Sequence, residues 1–433
     1  MSWLTAVEAL QFLQVRPQTL YANVSRKKIR AKPDPKDSRR SLYHEADVRK
    51  MARQHGGQRK ATTIAAATIQ WGEPILPSAV STVVAGRLYY RGRDAVVLAE
   101  GASLEDVAEL LWAVEGEADG AAAGAPRQGL KGFGRPRGGY APADGGRASA
   151  SGDGVAAGPL QRAFVALGLR AATDLASYGR SLPILRNDAA SVLITLADAL
   201  LGDQSVPPSA RRHRAGRVRR VSRAASEQAA QASAPLHERV ASSWRGRGDA
   251  ADIIRRALVL LADHELNAST FAARVAVSTG ASLAAGVLSG LSALSGPLHG
   301  RASVGVLQLV ASVERVGADA TVREWLSLGR PISGFGHPLY PLGDPRAKAL
   351  LQRFSLPTEY AQLCNIVERE IGEQPNIDFA LSALTRVYRL PQEAPLILFA
   401  LGRCAGWLAH ALEQVASGQP IRPRAQYVGP AIA

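Results

Sequence analysis

Hydrophobic patterning divides this chain into helical, strand-like and patternless stretches. Thr5 followed by Glu8 has the spacing of a capping box, and Val7, Leu10 and Leu13 recur on one face of the helix it would open. Val15-Arg16-Pro17 breaks that helix, and a second is predicted from Gln18 to Val24, with Leu20 and Val24 turned inward. Between Ala61 and Val96 the pattern alternates in places as in strands, with Val80, Thr82 and Val84 on one side. Ser103 then opens a helix continuing to Trp112. Gly116 to Gly158 is rich in Gly and Ala with little apolar periodicity, so it buries too little surface to offset its ordering entropy and reads as a flexible insert. Helical periodicity returns from Leu160 to Leu201 and again from Asp249 to Ser417. Val275 to Leu298 carries no charge, but its Ser, Gly and Ala content fits a closely packed interior helix better than a membrane span.

Composition agrees with a helical protein. The 433 residues suffice for two or three domains. With 46% hydrophobic but only 6% aromatic residues, Ala and Leu outweigh the β-branched and aromatic types that favour sheet. Two cysteines, Cys364 and Cys404, cannot build a disulfide framework, no CxxC pair suggests zinc, and the first residues lack a basic-then-apolar signal pattern. The expectation is a cytoplasmic protein without membrane association.

The net charge of +15 is concentrated in two places. Residues 1–60 hold 14 Lys/Arg against 5 Asp/Glu, and residues 206–248 hold 10 against 2, which leaves the rest of the chain slightly acidic. Arg211 to Arg223 places seven arginines in thirteen residues with no aromatic among them. Without stacking platforms this run fits a disordered surface loop better, with a second nucleic-acid contact as the alternative. In the first segment the two helices, Arg26-Lys27-Lys28, a Pro-containing turn and Arg39-Arg40 resemble an excisionase/MerR-like winged helix-turn-helix over residues 1–55, followed by a linker at 56–70. That resemblance implies duplex DNA as a partner, contacted through Gln18, Thr19, Tyr21, Arg26, Lys27, Lys28, Arg39 and Arg40. A helical module that docks on protein is the alternative.

Two segments each set one histidine among glycines and prolines: Gly296-Pro297-Leu298-His299-Gly300, and Gly334-Phe335-Gly336-His337-Pro338 continuing to Arg346. Such residues end regular structure and bring backbone close to whatever the imidazole touches. One such segment would pass for a loop. Two, with Asp263-His264-Glu265 before them and Pro375-Asn376-Ile377-Asp378 after, resemble the citrate synthase family in content and order. The resemblance runs with interruptions from Trp71 to Gly429 and takes in Leu88-Tyr89-Tyr90-Arg91-Gly92 and Ile421-Arg422-Pro423-Arg424.

The resemblance implies a mainly α, two-domain, all-helical fold. Its large domain would comprise 71–300 and 393–433, with inserts at 116–158 and 206–235, and its small domain 301–392. It implies condensation of acetyl-CoA with oxaloacetate to citrate and CoA, a reaction of the tricarboxylic acid cycle, in a homodimer or higher homo-oligomer. Asp378 would be the enolising base, His299 the donor on the thioester oxygen, and His337 the group polarising the ketone. His264, His299, His337, Arg346, Arg403 and Arg422 would hold oxaloacetate, Arg422 reaching into a neighbouring subunit. No cofactor is implied beyond the coenzyme A thioester as substrate, and no metal, since the three histidines lie 35 and 38 residues apart with no short ligand pair. The alternatives are a 2-methylcitrate synthase using propionyl-CoA, and a DNA-binding regulator whose body senses a metabolite.

The head makes a separable prediction. The full chain should bind duplex DNA with an affinity that falls steeply with salt, because phosphate contacts release counterions. Deletion of residues 1–60 should abolish most of that binding in a fluorescence titration; equal binding after deletion rules out the head as a DNA reader.

Overall fold

The computed structural model describes residues 3–13, 20, 23–24, 28–34, 37–49, 76–113, 157–202, 234–425 and 429. The chain divides into two compact units, Met1–Pro77 with Pro423–Ala433, and Ser78–Arg422.

In the first unit β1 (Trp3–Leu4), α1 (Ala6–Leu13), β2 (Ala31–Asp34) and β3 (Asp37–His44) form a helix against an antiparallel sheet of order β1-β3-β2. Thr5 and Glu8 close the expected capping box, the Glu8 carboxylate accepting from the Thr5 N–H at 2.7 Å and the Thr5 hydroxyl accepting from the Glu8 N–H at 3.3 Å. The inward face of α1 differs from the sequence pattern, since Val7 is exposed while Ala9 and Leu13 join Leu20, Ile29, Tyr43 and Val48 in a small core. Ala9 and Leu13 stand one turn apart on the buried face, with Ala6 and Leu10 packed at its edge, which leaves Val7 on the far side. Of the residues expected to read DNA, Lys28 is exposed, and Arg39 and Arg40 lie on the backbone of β3. Gln18, Thr19, Tyr21, Arg26 and Lys27, with most of the expected second helix, lie outside the described residues. Two neighbouring cations are already engaged: Lys32 sits 4.3 Å from the Trp3 ring centroid, and Arg30 grips Asp47 through Nε at 2.7 Å and Nη2 at 2.9 Å.

The second unit opens with a small antiparallel sheet, β4 (Ser81–Val84), β5 (Arg87–Tyr90) and β6 (Arg93–Asp94), so the all-helical expectation is corrected to mainly helical. The alternation of β4 is kept, with Thr82 and Val84 exposed and Val83 packed on the core. The Ala85-Gly86 and Arg91-Gly92 turns, all at positive φ, allow the three strands to reverse within fourteen residues. Helices follow: α2 (Ala95–Gly101), α3 (Leu104–Trp112), α4 (Pro159–Thr173), α5 (Leu182–Leu201), α6 (Leu236–Ser243), α7 (Ala250–Leu261), α8 (Ala268–Ser278), α9 (Leu283–Leu294), α10 (Ala302–Val316), α11 (Ala318–Ser327), α12 (Pro345–Leu351), α13 (Thr358–Ile371), α14 (Ile377–Val387) and α15 (Ala394–Ser417). The helical stretch expected from Leu160 to Leu201 is two helices, and the uncharged stretch from Val275 is cut at Thr279–Ser282, where Gly280 has φ +87. Helix α6 begins before the expected restart at Asp249.

Helix α15 is the axis of the larger of two cores in this unit. It is long and apolar enough to cross a membrane, yet 94% of its most apolar window is buried against other helices, chiefly α7, α8, α9, α3 and α5. The smaller core gathers Val306, Leu309 and Val313 of α10, Val322 of α11, Leu363 and Val367 of α13 and Phe335. Helix α14 serves both cores: Ile377, Ala380, Leu381 and Leu384 face the larger, Phe379 and Ala383 the smaller. This division of one helix between two cores fixes Asp378, at its first turn, where they meet.

Gly406 allows the closest approach along α15. A Cβ there would stand 2.3 Å from Asp263 Oδ1 and 2.4 Å from the Ala262 carbonyl oxygen. Gly406→Ala should therefore destabilise the protein by about 1–3 kcal/mol, the usual cost of overpacking, read from the urea midpoint. An unchanged midpoint contradicts the tight fit.

Candidate active site

Each histidine singled out in the sequence is presented by a helix end or a turn. His264 follows the C-terminus of α7 in a corner where Glu265 takes φ +52, an uncommon value for a residue with a Cβ. The corner is held on three sides. Asp263 turns into the core, where its Oδ2 accepts from Ser81 Oγ and from His410 Nε2 at 3.2 Å. Glu265 reaches β4, accepting from the Val83 N–H at 2.6 Å, and Tyr90 Oη donates to the Val259 carbonyl at 3.0 Å. His264 itself points the other way, its Nε2 2.8 Å from Tyr340 Oη.

His337 lies in a turn zipped to the segment that precedes Asp378. Gly336 N–H donates to the Gln374 carbonyl at 2.9 Å, Asn376 N–H to the Gly334 carbonyl at 2.8 Å, and Asn376 Nδ2 to the Gly336 carbonyl at 3.1 Å. Gly334 has φ +87 and its Cα packs onto Val306 and Phe379, a position that excludes any side chain. The Leu339 N–H donates to His337 Nδ1 at 3.1 Å, which leaves the ring proton on Nε2. The His337 and His264 rings meet edge to face, centroids 5.0 Å apart.

His299 follows α9, its Nε2 2.9 Å from Ser269 Oγ and its ring edge-on to Phe399. The same Ser269 hydroxyl accepts from Trp407 Nε1 at 3.1 Å and donates to Asn267 Oδ1, the N-cap of α8, at 2.8 Å, so the His299 ring proton sits on Nε2.

Two guanidinium groups are buried beside these rings. Arg346 is paired with Asp344, Nε to Oδ1 at 2.9 Å and Nη2 to Oδ2 at 2.8 Å. Asp344 also accepts the Ile377 N–H at 3.1 Å, so one carboxylate ties Arg346 to the start of α14. Arg403 is 1% exposed, donates from Nε to the Leu261 carbonyl at 3.1 Å and lies over Phe399. No carboxylate stands within ion-pairing distance of Arg403 among the described residues, and burial, offset only in part by Asp263, holds its pKa below the ordinary value.

The electrostatics follow from this concentration of positive charge. Burial, then Arg346, His337, Arg403 and His299, hold His264 well below the usual imidazole range. Burial and Arg403 bring His299 down to about 4, so both rings are neutral at pH 7. Asp378 is pushed up to about 7 by burial, against the pull of Arg346 and with the help of Asp344, and its Oδ1 is sealed from solvent without a hydrogen-bond partner.

The structure thus gathers His264, His299, His337, Arg346, Arg403 and Asp378 into one neighbourhood. Arg422 stands apart from it, exposed on the segment after α15. Sequence reasoning missed Tyr340, Asp344, Ser269, Trp407 and His410. Tyr340 and Asp344 lay inside the motif already singled out and Trp407 four residues beyond Arg403, whereas nothing near Ser269 or His410 marks them.

Fold and site together define a mainly helical protein with a buried cluster of two guanidinium groups and three imidazoles, beside one carboxyl raised toward neutrality. Residues 209–424 match the family model of citrate synthase, C-terminal domain. Citrate synthase 2 of Bacillus subtilis is 38% identical over 190 residues, 41% of this chain and 51% of that protein. The 2-methylcitrate synthase 2 of Corynebacterium glutamicum is 31% identical over 185 residues, 40% of this chain and 48% of that protein. The chain spans about half the length of the curated relatives it matches. Among solved structures, citrate synthase of Thermoplasma acidophilum in ternary complex with carboxymethyl coenzyme A and oxaloacetate superposes with a TM-score of 0.57 at 22% identity, covering 83% of this chain and 95% of that one. The fold is that of citrate synthase, and the matches support that family for this chain.

The raised pKa of Asp378 has a consequence for stability. A carboxyl that ionises near 3.8 when unfolded and near 7 when folded stabilises fully below pH 4 and loses that contribution by pH 7. Relative to Asp378→Asn, the wild type should lose up to about 1.4 kcal/mol per pH unit across that window and then level off, measured by urea unfolding. Parallel stability profiles show that the carboxyl is not perturbed.

Proposed function

We propose that this protein condenses an acyl-CoA, acetyl-CoA first, with oxaloacetate and hydrolyses the product thioester to citrate and CoA. The observation that carries the reading is the buried guanidinium of Arg403, unpaired by any described carboxylate, beside a second buried guanidinium and neutral imidazoles. Burying such a charge is costly unless an anion completes the site. Planar guanidinium groups match carboxylates bidentately, so Arg346 and Arg403, with His264, would hold the two carboxylates of oxaloacetate.

The chemistry then divides among the remaining groups. His337, protonated on Nε2, donates to the oxaloacetate ketone and makes its carbon electrophilic. His299, whose proton sits on Nε2 beside Ser269 Oγ, is the proposed donor on the thioester oxygen once that N–H turns to the substrate, stabilising the enolate as it forms. Asp378 Oδ1, sealed from water and lacking a partner, takes the proton from the methyl carbon. The enol carbon attacks the ketone, forming the new C–C bond, and water then cleaves the thioester.

The exposed Val165 and Leu169, one turn apart on α4, continue into exposed Leu175, Tyr178 and Ile184. These exposed apolar side chains support a homodimer in which a second copy covers them, and the protein is proposed to work in the cytoplasm. The exposure of Arg422 supports its service to the neighbour's oxaloacetate. Propionyl-CoA remains a second reading for the acyl group, favoured by the match to a 2-methylcitrate synthase. The head, on the strength of its charge, is proposed to contact duplex DNA.

A thiol-release assay with oxaloacetate and either acetyl-CoA or propionyl-CoA tests the function. Turnover should require oxaloacetate, and kcat/KM should rise with pH to a plateau above about 7, where Asp378 is ionised. Asp378→Asn should lower turnover by at least roughly 100-fold while leaving oxaloacetate binding little changed. No thiol release with either thioester overturns the reading.

A further inference from the structure

A continuous chain of buried polar side chains runs behind the pocket, and the proposed chemistry uses none of its members. Asp263, Arg274, His410 and Gln414 are all at most 3% exposed. His410 Nε2 lies 3.2 Å from Asp263 Oδ2, and its Nδ1 lies 3.2 Å from Arg274 Nη1. A guanidinium has only donors, so Nδ1 accepts, the imidazole proton sits on Nε2, and that proton points at Asp263. The orientation of the ring is therefore fixed from both ends. Arg274 is in turn paired with Glu413 at 2.6 Å and donates from Nε to Gln414 Oε1 at 2.9 Å.

The two ends of this chain meet two different parts of the proposed oxaloacetate site. At one end, Asp263 is the residue before His264, and its carboxylate anchors a corner that contains the strained Glu265. At the other, Gln414 Nε2 donates to the Gln419 carbonyl at 2.7 Å, and the Ile421 N–H donates to Ser278 Oγ at 3.1 Å. Those two bonds brace the segment that leads to exposed Arg422. Helix α15 ends at Ser417, and beyond it the Gln419 N–H donates to Ser417 Oγ at 3.3 Å, so Gln414 shares the support of this segment with Ser417 and Ser278.

We propose that Asp263, His410, Arg274 and Gln414 form one positioning device that sets two oxaloacetate ligands together, His264 within its own pocket and Arg422 on the arm offered to a neighbouring copy. The roles of His264 and Arg422 rest on the proposed function; the device itself is a matter of the fold. Buried networks of this kind act as a unit, because a half-satisfied one leaves an uncompensated polar group in low dielectric. Disturbance at one end therefore reaches the other.

The test uses the full-length protein with His410→Leu, His410→Gln and Gln414→Leu. His410→Leu removes both bonds of the ring, while the amide of His410→Gln can donate to Asp263 and accept from Arg274. Gln414→Leu leaves the Asp263 to His410 pair in place and removes the tie to Gln419. His410→Leu and Gln414→Leu should each raise the KM for oxaloacetate by about tenfold to a hundredfold, the range expected when a ligand is misplaced by a remote change. The KM for the acyl-CoA should stay within about twofold, and His410→Gln should recover most of the loss. A general loss of packing would instead raise both KM values and lower kcat together, and that result counts against the device. Should His410→Leu fail to fold, Gln414→Leu and His410→Gln still decide the matter. Spectra of the protein labelled with 15N-histidine supply a readout that does not depend on turnover, since the His264 signals should shift in His410→Leu, and in Gln414→Leu through Arg274. If the wild type releases no thiol but these signals move, the device stands and the substrate assignment falls. Wild-type KM for oxaloacetate together with unmoved His264 signals in Gln414→Leu overturns the device.

Discussion

The constraint on which this structure turns is the burial of two guanidinium groups within a helical core. Arg346 and Arg403 are 2% and 1% exposed. Charges so placed must be compensated or relieved, and the protein does each once. Arg346 has Asp344, which also takes the first N–H of α14 and so binds the cation to the helix that carries Asp378. Arg403 has a backbone carbonyl and an aromatic face, leaving much of its charge to act on its surroundings. Burial first, and this positive charge with it, keeps His264 and His299 neutral, while burial keeps Asp378 partly protonated near pH 7. Burial thus does most to set the protonation state of three candidate catalytic or ligand groups.

The scaffold delivers these groups by making helix ends converge. His264 leaves the end of α7, His299 the end of α9, and Asp378 occupies the first turn of α14. Side chains at helix ends are free of the regular i,i+4 surface and can be aimed by a corner or a cap. The aim is then locked from behind: by Ser269 for His299, by the Gln374–Asn376 ladder for His337, and by Asp263 with Ser81 for His264. Helix α14, with one face in each core, means that any movement of one core relative to the other must displace Asp378.

The head follows a different logic. Its few described core residues, Leu4, Ala9, Leu13, Leu20, Ile29, Tyr43 and Val48, give it a core of its own. Several of its cations are committed to internal partners, Arg30 to Asp47 and Lys32 to Trp3, so its positive charge is not wholly available to an external polyanion. Charge counted from sequence overstates what a surface can offer, because ion pairs and cation–π contacts are settled only on folding.

The features legible in the chain before folding are local ones. The capping box of Thr5 and Glu8, the strand at Ser81–Val84, the helix opened by Ser103 and the presentation of His299 and His337 among glycines and prolines all rest on neighbours in the chain, and each stands in the structure. The end of α4 at Asp174, the break at Thr279, the outward turn of Val7 and the restart of helix at Leu236 were not legible, since each depends on what packs against the element. Packing in three dimensions also supplied the long-range partners. Tyr340 for His264, Ser269 for His299 and His410 for Asp263 are separated from them by 76, 30 and 147 residues. No periodicity or spacing encodes such pairs, because a buried donor or acceptor chooses its partner from whatever the packing of distant helices brings within reach. The pKa shifts belong to the same class: the sequence supplied the histidines and carboxylates, and burial beside two arginines decided their charge.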